Sequence, residues 1–152
     1  LAGLCIECKA RGASTRGKVR ISSEHQLADV AGQELVLLVH TFATAVKDEV
    51  GATDLHSSVS SIRLNVISER PDLVEMFEEE LEEAGYEDEH EYDVVVLHRS
   101  TESYSVAEGF PRIVPGNYQE GPIEISYDLP LIKITSFEIS RHELVQLIDN
   151  SE

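Results

Sequence analysis

Residues 34–43, ELVLLVHTFA, form a nearly continuous apolar run of strand length. A strand that is apolar on both of its alternating faces has to be covered on both, which is the position of a central strand in a layered sheet. The rest of the chain must supply those layers. Leu55, Val59, Ile62 and Val66 recur at helical spacing, with Thr53 or Asp54 placed to cap the first turn. A second helix is expected from Pro71, with Leu73, Phe77, Leu81 and Ala84 as its apolar stripe and Gly85 as its stop. Ser140 and Glu143 form a capping box ahead of Leu144, Leu147 and Ile148, which predicts a last short helix.

Further strands are expected around these helices. The run GLCIECKA is short, apolar-rich and bounded by Gly3 and by the loop RGASTRG, so it reads as a strand leading through a hairpin to a second strand at Lys18 to Ile21. SSEHQLADVAG carries a capping box at Ser23 and Gln26 with Gly32 as a stop, predicting a short helix over 23–32. YDVVVLHRS and ESYSVAE read as two strands joined by a tight turn at 99–102. IEISYD alternates cleanly, with Ile123, Ile125 and Tyr127 on one face and Glu124, Ser126 and Asp128 on the other. With no internal repeat or linker, the 152 residues read as a single layered α/β domain.

A net charge of −17 argues against a general nucleic-acid binder, since phosphate-neutralising proteins present basic surfaces. The charge is uneven, however. Residues 1–20 carry five bases against one acid, whereas 69–93 carry thirteen carboxylates against Arg70 alone, as the solvated face of a helix does. No stretch approaches the roughly 20 apolar residues that span a bilayer, and no signal peptide opens the chain, so a soluble, cytoplasmic protein with no membrane partner is expected.

The basic segment contains LCIECKA, where two motifs overlap. Side chains alternate faces along a strand, so Cys5, Glu7 and Lys9 share one face while Leu4, Ile6, Cys8 and Ala10 share the other. The two cysteines of C-x-x-C therefore point apart. No second cluster completes a zinc tetrahedron, and Cys8 reads as a small buried apolar residue. Glu7 and Lys9 do converge: a carboxylate to hold a hard cation and an ammonium to steady developing charge are what phosphodiester hydrolysis requires. Alone, E-x-K is far more often a surface Glu–Lys pair on an edge strand.

The surrounding pattern narrows the reading. CIECKA with its Gly-containing loop, then VRISSEHQL, ELVLLVHTF, and later YSVAEGFPRI and ISYDL, resemble the PD-(D/E)XK nuclease superfamily, and in particular a family of its members without assigned function. The resemblance runs from about Leu4 to Asp128. It implies a restriction-endonuclease-like mixed sheet flanked by helices, with an additional C-terminal β-rich part. It further implies Glu7 as the motif acid and a Mg²⁺ ligand, Lys9 as the catalytic lysine, and the Cys8 backbone carbonyl as a further metal ligand. Gln26 matches the glutamine that some members place near the site; its capping role is an equal alternative. Val30 stands where a tyrosine can follow.

The superfamily also places an Asp on the strand before the (D/E)-x-K strand, and none of the six residues before Glu7 is acidic. The expectation is a C-terminal portion of a longer chain, with N-terminal elements of the fold missing and little cleavage by these residues alone, or else a catalytically inactive relative. Arg11, Arg16, Lys18 and Arg20 are candidate DNA-phosphate contacts, with a solvated loop as the equal alternative. Glu108 and Arg112 lie in a loop that could reach the site. The resemblance thus points to a Mg²⁺-dependent DNA endonuclease of a bacterial restriction or phage-defence system, acting as a homodimer or with restriction-system subunits. The alternative is an inactive module that docks partner subunits or DNA.

Overall fold

The structure is a computed structural model, described here for residues 3–15, 17–117 and 124–151. The chain forms two compact units, Leu1–Ala43 with Arg99–Glu152, and Thr44–His98.

In the first unit, β1 (Gly3–Gly12) runs parallel to β3 (Gln33–Thr44), with Glu7 opposite Leu37 and Lys9 opposite Val39. β5 (Val95–Ser105) is the next neighbour of β3. Val106 N–H donates to Leu35 O, and the Thr101 hydroxyl meets His40 Nδ1 at 2.9 Å. Moving five residues along β3 means moving five residues back along β5, so this pair is antiparallel and the sheet is mixed. β3 takes the central position that its two-faced apolar run requires: Leu35, Val36, Leu37 and Val39 are all buried.

The turn expected at 99–102 is strand instead. RSTE lacks the Gly, Pro or Asn that a tight turn selects. Beyond it, Ser103 and Tyr104 pair antiparallel with Ile139 and Glu138 of β7 (Glu138–Ile139). β2 (Lys18–Ile21) and β6 (Tyr127–Pro130) make a separate antiparallel pair, matching Val19 with Leu129 and Ile21 with Tyr127. The expected IEISYD strand is thus shorter, beginning at Tyr127, and Ile123 lies outside the described residues. Two short 3₁₀ turns follow at Leu131–Lys133 and Thr135–Phe137.

The core sits on the sheet face shared by Leu37, Val39 and Tyr104, with Val19, Ile21, Leu27 and Ile134 packed onto it. Each such side chain contributes roughly 1.5–3 kcal/mol on burial. The predicted last helix, α3 (Arg141–Ser151), has its capping box formed in both directions: Ser140 N–H donates to Glu143 Oε2 at 2.7 Å, and Glu143 N–H to Ser140 Oγ at 3.2 Å. It packs against β1.

The second unit holds the two central helices. β4 (Ala52–Asp54) pairs antiparallel with the start of β5, and α1 (Leu55–Glu69) begins where Asp54 Oδ1 accepts from Ser57 N–H at 2.7 Å. That bond lowers the Asp54 pKa, because it favours the charged carboxylate. A 3₁₀ turn at Pro71–Leu73 leads into α2 (Val74–Glu83), which ends at Gly85 with φ +76°, a left-handed conformation that glycine adopts without strain. Arg63 joins the helices, donating from Nε to Glu78 at 2.6 Å and from Nη1 to Asp88 at 3.2 Å. Among the described residues, no helix is long and apolar enough to cross a membrane.

Candidate active site

β1 places Glu7 and Lys9 on the core-facing side of the sheet and keeps both half-buried, whereas Ile6, Cys8 and Ala10 on the reverse side are exposed. Lys9 Nζ lies 3.0 Å from Glu7 Oε1, with side-chain exposures of 13% and 23%. Partial burial weakens screening, so this pair holds more firmly than a fully solvated one. Lys9 Nζ also donates to Gln26 Oε1 at 2.7 Å. The three residues that the sequence nominated for the reacting centre are in direct contact.

Gln26 reaches that position by a route the sequence did not indicate. The expected helix over 23–32 is absent, and two successive turns replace it. Gln26 N–H donates to Ser23 O and Ala28 N–H to His25 O, while Ser23 Oγ accepts from His25 N–H. The capping box does not close: Gln26 Oε1 accepts from Ser22 N–H at 2.8 Å and from Lys9, leaving nothing to nucleate a helix at Ser23. Leu27, fully buried, fixes the segment to the core.

Cys5 and Cys8 point to opposite faces, as alternation requires, but Cys8 is exposed rather than buried. Partial desolvation, then the charge of Glu7, push its thiol pKa up, so it is a poor thiolate.

The basic residues separate into different environments. Arg11 belongs to β1, which pairs with β3 and not, as a hairpin would require, with β2: it is half-buried on the Glu7 face, with Nε donating to Thr41 Oγ1 at 2.9 Å and Nη1 buried without a hydrogen-bond partner. Arg16 lies outside the described residues. Lys18 and Arg20 are exposed on β2, and both engage Asp128 across the β2–β6 pair, at 2.5 and 3.4 Å; Arg20 also donates to Ser126 Oγ. The Lys18 hydrogen bond, first, holds the Asp128 carboxyl below its ordinary value. Sequence alternation carried this signal: KVRI and SYDL set bases and acid on the same strand face, opposite their apolar partners.

Arg112 does not reach Glu7 or Lys9 directly. Its Nη1 donates to Leu27 O at 2.5 Å and its Nη2 to Asp29 Oδ1 at 2.7 Å, so it grips the turn segment that presents Gln26. A lone arginine in a Pro-rich loop gives no sequence sign of that contact.

A mixed sheet with flanking helices, carrying an E-x-K strand parallel to its central strand, is an arrangement compatible with the PD-(D/E)XK fold. The chain matches, over residues 1–131, the model of a family described as "putative PD-(D/E)XK family member". It belongs to that family. No curated protein and no solved structure matches it significantly.

Proposed function

We propose that this chain carries the reacting centre of a Mg²⁺-dependent DNA endonuclease, of a bacterial restriction or phage-defence system acting in the cytoplasm. The observation that supports this most is the Glu7–Lys9–Gln26 cluster, formed on the motif strand of a chain that belongs to a PD-(D/E)XK family. Lys9 is the working cation: the contacts with Glu7 and Gln26 fix its direction, so that it meets a phosphate with little reorganisation.

PD-(D/E)XK proteins typically use a divalent metal, and the donors here fit one in part. Glu7 offers a hard carboxylate oxygen and Cys8 a backbone carbonyl. Among the described residues, no group of three or more His, Cys, Asp or Glu could hold a metal, so these two oxygens are the donors that the motif strand itself would supply. Bound there, Mg²⁺ would polarise the phosphate and lower the pKa of an attacking water.

Lys18 and Arg20, with Arg16, are the proposed phosphate contacts. Their pairing with Asp128 is solvent-exposed, and exposed ion pairs are held weakly enough for a DNA phosphate to replace them. Arg11, half-buried and engaged by Thr41, serves the sheet face instead. Paired strand cuts would call for a homodimer or partner subunits. Among the described residues, Glu7 is the one carboxylate paired with Lys9, which favours a second reading, an inactive module that docks DNA or partner subunits. Incubating the intact protein with duplex DNA, with Mg²⁺ and with EDTA, separates the two: metal-dependent cutting supports the nuclease, and binding without cutting supports the module.

A further inference from the structure

The segment that carries Gln26 lacks the hydrogen bonds of a helix, so its orientation has to be imposed from elsewhere. Three supports surround it. Leu27 is fully buried in the core, Glu24 Oε2 accepts from Ile125 N–H at 3.2 Å, and Arg112 reaches over from a distant loop. Arg112 is the one that acts next to Gln26: its Nη1 satisfies the carbonyl of Leu27, and its Nη2 holds Asp29 two residues further on. A guanidinium with two donors in a fixed plane constrains both position and tilt, which a single hydrogen bond does not.

Arg112 is itself held. Its side chain is only 13% exposed. Phe110, two residues earlier, is buried and packs edge-on against Phe137 at 5.1 Å; Ile113 N–H, one residue later, donates to the Tyr127 hydroxyl at 3.2 Å. Burial raises the pKa of that hydroxyl, so it stays protonated over the working range. Contacts therefore run without a gap from the anchored loop, through Arg112 and the Leu27 carbonyl, to Gln26, Lys9 and Glu7.

We infer that Arg112 is a positioning residue for the reacting lysine, acting through Gln26: the Arg112–Leu27 and Arg112–Asp29 bonds hold the amide of Gln26 against Lys9 Nζ. The inference rests on the reading of Lys9 as the working residue, but it makes a claim about Lys9 that needs no substrate. The chain has four lysines, so lysine labelled at Cε gives four resolvable signals, with Lys9 assigned by Lys9→Arg.

The test follows the chemical shift of the Lys9 signal at one pH in Arg112→Gln, Arg112→Lys, Gln26→Ala and the Arg112→Gln/Gln26→Ala double variant of the intact protein. Arg112→Gln is expected to move it in the same direction as Gln26→Ala and by at least half as much, with partial recovery in Arg112→Lys. The double variant should match Gln26→Ala, because residues acting through one contact are not additive. An unmoved Lys9 signal in Arg112→Gln, or effects that simply add, would overturn the inference. Should Arg112→Gln fail to fold, Asp29→Ala removes only the exposed arm of the grip, and it must shift the Lys9 signal in that same direction. Absence of DNA cleavage in the wild type would count against the nuclease reading and leave the Lys9 result standing.

Discussion

Lys9 Nζ lies 3.0 Å from Glu7 Oε1 on one face of β1, so the two groups neutralise each other before any cation arrives. A metal at Glu7 has to compete with that ammonium. Lys9→Met should therefore strengthen Mg²⁺ or Mn²⁺ binding while removing cleavage, an outcome that separates binding from chemistry. Calorimetric titration of both proteins checks it. Weaker metal binding in Lys9→Met would show that the lysine does not oppose the ion.

Gln26 Oε1 accepts from both Ser22 N–H and Lys9 Nζ. Gln26→Ala leaves the half-buried Lys9 ammonium without that partner, while the exposed Ser22 N–H turns to water, and a loss of about 1–3 kcal/mol is expected in denaturant unfolding. Leu27→Ala, which opens a cavity where Leu27 is fully buried, should cost about 2–5 kcal/mol.

How much of this was legible beforehand varies by element. β3 is readable from its two-faced apolar run, and α1, α2 and α3 from helical periodicity beside a cap or stop residue, Asp54, Gly85 and Ser140 respectively. The 23–32 helix is not, although its capping box looks as good as the one at Ser140 and Glu143. At Ser140 the box closes on itself, whereas at Ser23 the glutamine finds Lys9, seventeen residues away, and the local motif loses to a tertiary contact. Glu7 and Lys9 could be paired from alternation alone. Arg112 could not, because its partners are a backbone carbonyl and an aspartate more than eighty residues distant.

Asp128 ties β2 to β6, and its carboxyl titrates below the usual value because Lys18 hydrogen-bonds its charged form. The folded state thus binds this proton more weakly than the unfolded one. Stability from the contact is present above the ordinary carboxylate pKa of about 3.9 and is lost as pH falls through the folded value. Asp128→Asn should flatten the acid side of the wild-type stability profile, read by thermal unfolding between neutral and acid pH. The same variant should bind duplex DNA more tightly, since it frees Lys18 and Arg20, and replacing both bases with Ala should lower the salt slope by about 2. DNA affinity indifferent to all of these changes would remove β2 from the binding surface.

Tyr104 is fully buried, and desolvation, with smaller contributions from Glu102 and Glu138, pushes its pKa up to about 12. The unfolded chain releases this proton near 10, so stability should fall as pH rises from about 10 to about 12. Ultraviolet difference titration should show one of the five tyrosines ionising last, and that step should vanish in Tyr104→Phe.

Cleavage of duplex DNA by the intact protein in Mg²⁺, measured beside Lys9→Ala, tests the role of Lys9 as the working cation most directly. Metal-dependent cutting is expected, falling at least about 100-fold on removal of the lysine, the usual scale for a positioned catalytic group. Equal cutting by the two proteins would contradict that role.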